Sequence, residues 1–218
     1  MESELTDVEV RVLGAMVEKE MTTPLSYPLT LNALTNACNQ KSNRFPATSY
    51  NEDTVLRSVD SLRNKGLAET VFPGSSRVAK YRHNFAYQYG LNGKLQALLG
   101  VMMLRGPQTL GELRTRTERM VRFPDLETIT EHLDELITRE EGALVMMMPP
   151  GRSQKERRYA HLLAGEPSAT VIESGGGNTA APPVAAVDTA WQDRVEILEA
   201  EVVELREELQ RLKAVIEG

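Results

Sequence analysis

The sequence has a single cysteine, few aromatic residues and no long apolar run, and each shortage excludes a class of protein. Cys38 is the only cysteine among 218 residues, so no disulfide can form within the chain. Its apolar surroundings favour a small buried core residue over a nucleophile. The longest strongly apolar stretch, 95–104, is interrupted by Gln96 and falls far short of the roughly 20 residues that span a bilayer. The acidic N-terminus has no apolar signal core. We therefore expect a cytoplasmic protein.

The sequence also lacks any arrangement of residues that is typical of a catalytic or metal site. Its three histidines are far apart, and no Cys/His cluster has the spacing of a metal site. The run Gly175–Gly177 follows no predicted strand and precedes no Lys-Ser or Lys-Thr pair, so it is not a phosphate loop. We therefore predict a protein that is not an enzyme and that uses no cofactor or metal.

Acidic residues are spread unevenly, although the net charge is −6. Residues 1–88 carry ten acidic and ten basic side chains, and residues 89–166 carry eleven of each. Residues 167–218 carry ten acidic and four basic side chains, which accounts for the whole imbalance. The acidic total is therefore no argument against nucleic-acid binding by residues 1–166.

The first 88 residues have the pattern of a winged-helix module. Thr6 and Glu9 form a capping box before a helical pattern of apolar residues. A third helix is capped by Ser49 or Asn51 and ends at Gly66. The predicted order is a helix after Thr6, a helix at 29–38, a third helix up to Gly66, and strands at 67–72 and 77–82 that form a hairpin.

The same order recurs in the next 76 residues of the chain. Tyr81 and His83 of the first predicted return strand match Tyr159 and His161 of the second. Matched landmarks in a fixed order indicate an internal duplication. We predict two winged-helix modules, 1–88 and 89–164, in a mainly α architecture with small β-hairpin wings (α+β). In the second module, helices are predicted at 95–106, 109–120 and 125–141, and strands at 143–148 and 157–162.

Three segments of the sequence resemble one known family. They are YPLTLNALTNACNQKSNRFP at 27–46, NEDTVLRSVDSLRNKGL at 51–67 and LRGPQTLGELRTRTERM at 104–120. These segments closely resemble the YceH family of bacterial proteins, and the resemblance covers roughly residues 4–164. It implies a tandem winged-helix fold. It implies no activity and no functional residues, because the family has no assigned biochemical function.

Beyond the modules, the composition changes twice. Residues 165–189 are rich in Gly, Ala, Pro and Ser and have no periodicity, which predicts a flexible linker. Residues 190–217 carry an unbroken heptad pattern whose a positions are mostly β-branched and whose d positions are mostly Leu. This pattern favours a parallel two-stranded coiled coil and hence a homodimer; the alternative is an amphipathic helix that packs on its own modules. The seam consists of Trp191, Val195, Leu198, Val202, Leu205, Leu209, Leu212 and Ile216.

Winged helices often bind DNA by placing the third helix in the major groove and the wing along phosphates. The first module partly fits this mode, although Glu52, Asp53 and Asp60 bring its third helix to net zero. The third helix of the second module, 125–141, has seven acidic residues and one basic residue, so only its wing is expected to approach phosphate. The candidate nucleic-acid-binding residues are Lys41, Asn43, Arg44, Arg57, Arg77, Lys80, Arg82, Arg152 and Lys155.

Two functions are compatible with this sequence. The first is a transcription-regulator-like dimer that binds double-stranded DNA through the first module and both wings. The second is a protein–protein interaction scaffold, in which the acidic helix 125–141 binds a basic protein partner; this alternative rests on analogy of fold alone. Neither function involves a membrane.

Overall fold

In the computed structural model, residues 4–73, 78–149 and 156–167 are described, and they form seven α-helices and two small antiparallel sheets. This confirms the predicted α+β class. The predicted coiled-coil helix at 190–217 and its seam lie outside the described residues, as does the predicted linker beyond residue 167. Three candidate nucleic-acid-binding residues also lie outside them: Arg77, Arg152 and Lys155.

Three α-helices followed by an antiparallel pair of strands occur twice along the chain. The five-residue helix Phe85–Tyr89 separates the two series. The first series is α1 (Asp7–Thr22), a short 3-10 helix (Pro24–Ser26), β1 (Leu29–Thr30), α2 (Leu31–Cys38), α3 (Glu52–Asn64), β2 (Ala68–Val71) and β3 (Lys80–His83). The remaining elements are α4 (Phe85–Tyr89), α5 (Gly93–Arg105), α6 (Leu110–Thr117), α7 (Leu126–Ile137), β4 (Val145–Met147) and β5 (Tyr159–His161).

Side-chain caps fix where most of these helices begin. The predicted capping box of α1 is present, because the Thr6 backbone N–H donates to Glu9 Oε2 at 2.7 Å and the Thr6 hydroxyl accepts from the Glu9 N–H. Asn51, rather than Ser49, caps α3. Thr109 forms a second capping box with Glu112 at α6. Each cap satisfies backbone N–H groups that the helix itself leaves without a partner.

The two hairpins have the same register. In the first sheet, whose order is β1-β3-β2, Tyr81 lies between Leu29 and Thr70. In the second, Tyr159 lies between Met147 and Gln108, which forms an isolated bridge directly before the cap Thr109. Leu29 likewise directly precedes Thr30, the cap of α2. Tyr81 and Tyr159, which match in the sequence, therefore also have equivalent pairing partners on both sides in the two sheets.

Most predicted bounds differ from the observed ones by a few residues, and two helices illustrate the differences. The helix predicted from Leu29 begins at Leu31, because Leu29 and Thr30 pair with β3 instead. The helix predicted to end at residue 141 ends at Ile137, and Thr138 is its C-cap. The short helix α4 was not predicted from the sequence, since five residues are too few to show a helical periodicity.

Helices α1 and α5 join the two series through one continuous apolar core. They run antiparallel with almost no gap: an added Cβ on Gly14 would lie 2.9 Å from Met103 Cβ, and one on Gly100 would lie 3.0 Å from Val17 Cγ1. The backbone N–H of Leu5 also donates to the carbonyl of Leu163 at 2.8 Å. Side chains from both series are thus buried against each other.

Candidate nucleic-acid interface

Helix α3 presents a charged face to solvent because its apolar side chains point inward. Val55, Val59 and Leu62 are fully buried at the spacing of one helical face. Arg57 lies on the exposed face and has no ion pair among the described residues, whereas Arg63 pairs with Asp60 at 2.8 Å. The exposed face therefore offers Arg57 as its one basic side chain without a carboxylate partner in the described part of the chain.

The loop 39–50, which connects α2 to α3, is held in shape by two buried arginines. Arg11 donates to the carbonyls of Cys38 and Pro46 at 3.2 and 2.7 Å. Arg44 Nε donates to the carbonyl of Ala37 at 3.0 Å. Carbonyls inside the protein need such donors, since an unpaired buried polar group costs about 1–3 kcal/mol. The loop is consequently a fixed platform for whatever it exposes.

Arg44 belongs to this platform and not to the exposed surface. Its side chain has no exposed area and pairs with Glu18, with Nη2 to Oε2 at 2.6 Å and Nη1 to Oε1 at 3.2 Å. Nη2 also donates to Gln40 Oε1 at 2.9 Å. A guanidinium held on every side by protein acceptors has no donor directed to solvent for a phosphate. We therefore leave Arg44 out of the candidate interface.

Lys41 and Asn43 remain on the exposed side of the same loop. Asn43 has a positive φ of 60°, which asparagine tolerates better than most residues. Its side-chain oxygen accepts a hydrogen bond from Arg105, the last residue of α5. Lys41 has no ion pair among the described residues. The loop thus displays the basic side chain of Lys41 and, through Asn43, contacts Arg105 of the second series.

The first hairpin brings two more basic candidates to the surface. Lys80 is half-buried at the start of β3 and has no ion pair in the described ranges. Arg82 is exposed but pairs with Glu69 on the neighbouring strand β2. Exposed pairs of this kind contribute about 0–1 kcal/mol, so Arg82 can exchange Glu69 for a phosphate at little cost.

The second series presents the opposite charge on its third helix. The exposed face of α7 carries Glu127, Glu131, Asp134 and Glu135 and no basic residue. Beyond its end, Arg139 pairs with Glu141 at 3.4 Å and donates to the carbonyl of Tyr89. This face repels phosphate, in agreement with the charge count in the sequence.

A group of basic residues lies where α1, α5, α6 and the loop 39–50 meet. Only part of this group could be identified from the sequence. Arg116 and Arg119 belong to an arginine-rich stretch visible in the sequence, but Lys19 and Arg105 come from the last turns of other helices. Burial lowers the pKa of Lys19, and the charges of Arg44 and Arg119 lower it further, although Glu18 opposes them. Burial also lowers the pKa of Arg105, with the charge of Arg116 the next cause. Basic last turns are a common feature of helices, so the sequence alone gave no signal that the loop 39–50 links these two, through Arg44 to Glu18 beside Lys19 and through Asn43 to Arg105.

Three titratable side chains, those of His83, His161 and Cys38, lie largely inside the protein, and their surroundings set their chemistry. His83 Nδ1 accepts from the backbone N–H of Phe85 at 3.2 Å, which leaves Nε2 to approach Glu20 Oε2 at 3.0 Å. Burial lowers the pKa of His161 to about 4. Cys38 is fully buried, as predicted, and burial raises the pKa of its thiol to about 12. A thiol with that pKa is a poor nucleophile at neutral pH.

Two further findings concern only the described ranges. There, no three or more His, Cys, Asp or Glu side chains stand close enough to hold a metal ion. None of the helices described is long and apolar enough to cross a membrane.

Residues 5–153 match the family model described as "Protein of unknown function, DUF480". The chain belongs to this family. Its relatives include a UPF0502 protein of Geotalea uraniireducens, 48% identical over 225 residues that cover 100% of both chains. The UPF0502 protein VVA1225 of Vibrio vulnificus is 43% identical and covers 99% of this chain and 98% of its own. The UPF0502 protein GSU0233 of Geobacter sulfurreducens is 48% identical over 94% of this chain and 91% of its own. These matches confirm that the chain belongs to a bacterial family of unknown function, as its resemblance to YceH-like sequences implied.

Proposed function

We propose that this protein binds double-stranded DNA through the first of two winged-helix modules, with the loop 39–50, helix α3 and the β2–β3 hairpin as the contact surface. The first series supports the winged-helix assignment through its order α1-β1-α2-α3-β2-β3 and its sheet order β1-β3-β2. The second series supports a repeat of that module, because Gln108, β5 and β4 reproduce the same order and register. In this fold the third helix enters the major groove and the hairpin follows the phosphates.

One observation carries the proposal: Lys41, Arg57 and Lys80 each lack an ion pair among the described residues. They stand on the loop, the third helix and the hairpin of the same module, which are the three elements that a winged helix presents to a duplex. Basic side chains that are not neutralised within the protein supply most of the non-specific affinity for DNA through release of counterions. By sequence, Arg77 falls between β2 and β3, and Arg152 and Lys155 fall between β4 and β5, so we include them as candidate phosphate contacts.

Binding of a random-sequence duplex by the full-length protein, measured by fluorescence anisotropy over a series of salt concentrations, tests this function. We expect log K to fall steeply with log salt, and the triple variant Lys41→Gln, Arg57→Gln, Lys80→Gln to reduce the slope by about 3, roughly one unit for each phosphate contact. The matched control is Lys94→Gln, Arg114→Gln, Arg122→Gln, which removes the same charge from positions outside the proposed surface. Absence of binding by the wild type at low salt, or equal slopes for both variants, would contradict the proposal.

A second candidate function, a protein-interaction scaffold, is favoured by one different observation. The four carboxylates of α7 form an exposed acidic face with no basic residue on it, and such a face attracts a basic protein rather than DNA. The matching variant is Glu127→Gln, Glu131→Gln, Asp134→Asn, Glu135→Gln. If the scaffold function is right, this variant loses a stoichiometric basic partner that the wild type retains from a cell extract, while its affinity for duplex DNA does not fall.

We also propose, from the heptad spacing alone, that residues 191–216 join two chains in parallel. A dimer would double the number of DNA-contacting modules and raise avidity without a new contact. Sedimentation equilibrium of the full-length protein tests this. We expect a dimer mass for the wild type and a monomer mass for Leu205→Glu, Leu209→Glu, whose charges would lie in the apolar seam. A monomeric wild type would exclude the dimer.

A further inference from the structure

The junction between the two series contains more positive charge than its carboxylates can neutralise. We define the junction cluster as Lys19, Arg105, Arg116 and Arg119, which come from α1, α5, α6 and the residues directly after α6. Among the described residues, the acids that pair with the cluster or act on its charges are Glu18 and Glu112. Both are already engaged: Glu18 binds Arg44 at 2.6 Å, and Glu112 binds Arg158 at 2.8 Å and Arg116 at 3.2 Å.

Three cations of the cluster are therefore left without a carboxylate within ion-pair distance among the described residues. Arg105 donates to the neutral side chain of Asn43. Lys19 and Arg119 form no ion pair in the ranges described. Lys19 and Arg105 are also partly buried, so part of their hydration is lost without an anion in exchange. Such an arrangement is unfavourable for folding, and groups of this kind concentrate at functional sites.

We infer that the junction cluster binds a phosphate group. Guanidinium groups match the tetrahedral oxygens of phosphate with paired N–H donors, and two or more of them with a lysine form a common phosphate-binding arrangement. The neighbouring platform supports this assignment. Arg44 holds the loop 39–50 rigid through Glu18, and Asn43 of that loop orients the Arg105 guanidinium.

The charge effects described above agree with this inference. The positive charges of Arg44 and Arg119 disfavour the protonated form of Lys19, and those of Arg116 and Arg44 act in the same direction on Arg105. A dianion or phosphodiester placed between them offsets part of this positive charge. It would stabilise every cation of the cluster at once and so stabilise the folded protein through binding linkage.

The phosphate has two sources with the same chemistry: a small phosphate compound, or a phosphodiester of a DNA backbone that extends from the first series onto the junction. The inference does not rest on α3 and the hairpin, because inorganic phosphate tests the junction without DNA. If the source is the DNA backbone, the junction adds contacts from the second series to those of the first.

The experiment uses the full-length wild type, the variant Lys19→Gln, Arg119→Gln and the charge-matched control Lys94→Gln, Arg122→Gln. Thermal unfolding and isothermal titration with inorganic phosphate, against chloride at equal ionic strength, measure the site. We expect phosphate to raise Tm for the wild type and the control, and its affinity to fall at least about tenfold in the junction variant, as expected for the loss of one or two charge-assisted hydrogen bonds. Should the junction variant be poorly folded by circular dichroism, Arg119→Gln alone, at an exposed position, takes its place.

The second arm is duplex binding over the same salt series. A slope reduced by about 2 in the junction variant identifies the DNA backbone as the source, whereas an unchanged slope with lost phosphate binding identifies a small phosphate compound. Phosphate binding without any duplex binding would refute the proposed function and leave the junction site standing. Equal phosphate affinity and equal salt slopes in the wild type and the junction variant would overturn the inference.

Discussion

Arg44 and Glu18 form a buried, bidentate ion pair, with Nη2 to Oε2 at 2.6 Å and Nη1 to Oε1 at 3.2 Å. The pair links the middle of the loop 39–50 to α1, and Nε of the same guanidinium satisfies the carbonyl of Ala37 at the end of α2. One side chain therefore fixes the loop to two helices. The surface residues of the loop, Lys41 and Asn43, depend on it for their position.

Replacement of Arg44 by lysine should destabilise the protein by about 2–4 kcal/mol, because an ammonium cannot reproduce the two-pronged contact and reach the Ala37 carbonyl at the same time. Urea unfolding of Arg44→Lys measures this loss. The control Arg57→Lys, at an exposed position of α3 without an ion pair in the described residues, should change the free energy of unfolding by less than about 0.5 kcal/mol. Equal effects of the two substitutions would mean that the pair does not hold the loop.

The caps and the hairpin register could be predicted from the sequence because the interactions that set them are local. Thr6, Asn51 and Thr109 each accept from the backbone N–H three residues further on, and the fixed spacing makes them recognisable. The matching tyrosines Tyr81 and Tyr159 likewise indicated where the two return strands lie. Helix ends were less accurate, since the pairing of Leu29 and Thr30 with β3 depends on a strand 50 residues further along.

The burial of Arg44 and the junction cluster could not be predicted from the sequence, because both depend on residues that are far apart in the chain. Glu18 lies 26 residues before its partner, and a turn that contains Lys41, Asn43 and Arg44 reads as uniformly basic and exposed. The junction cluster combines the last turns of helices that are far apart in the chain. Those turns lie toward opposite ends of the antiparallel helices α1 and α5, and the loop 39–50 links them, because Arg44 binds Glu18 beside Lys19 and Asn43 binds Arg105. Close packing of the two helices at the small residues Gly14 and Gly100 holds this arrangement.

That packing predicts opposite effects for two glycine-to-alanine substitutions. Gly14→Ala should destabilise the protein by about 1–3 kcal/mol, because its Cβ would meet Met103 Cβ at 2.9 Å and Leu104 Cγ at 3.1 Å. Gly111→Ala, in the first turn of α6 with nothing within 4 Å of an added Cβ, should stabilise it by about 0.5 kcal/mol through helix propensity. Thermal unfolding of the two variants beside the wild type checks both signs. A stabilising Gly14→Ala would show that the two helices are not in close contact.

His161 predicts a loss of stability on mild acidification. Its folded-state pKa of about 4 lies below the ordinary histidine value of about 6.5, and its Nδ1 is buried without a hydrogen-bond partner among the described residues. Between those two values the unfolded chain binds a proton that the folded chain does not, so stability falls as the pH falls. The contribution between pH 7 and pH 5 is up to about 2 kcal/mol.

Urea unfolding at pH 7 and pH 5 measures this dependence. His161→Gln should remove most of the difference between the two pH values, whereas His132→Gln, whose Nδ1 lies 2.6 Å from the carbonyl oxygen of Thr128, should retain it. The comparison stays above the range in which Glu9 and Glu20 contribute, because both have a pKa below the usual range of carboxyl groups. A pH dependence that is the same in His161→Gln and the wild type would contradict the prediction.

Lys19 predicts a gain of stability when a charge is removed. In phosphate-free buffer at neutral pH, Lys19→Met should raise the free energy of unfolding, because burial and the charges of Arg44 and Arg119 disfavour the ammonium in the folded protein more than Glu18 favours it. The gain should shrink as the pH rises through the lowered folded-state pKa towards the ordinary lysine value of about 10.4, since the wild type then loses its proton before the unfolded chain does.

Lys65→Met is the control of opposite sign, because Lys65 pairs with the buried carboxylate of Glu9 at 2.9 Å and its loss should destabilise. Urea unfolding with and without inorganic phosphate then separates two roles for Lys19. If Lys19 serves anion binding, it stabilises the wild type only when phosphate is present. If it serves packing, Lys19→Met has the lower free energy of unfolding in both buffers.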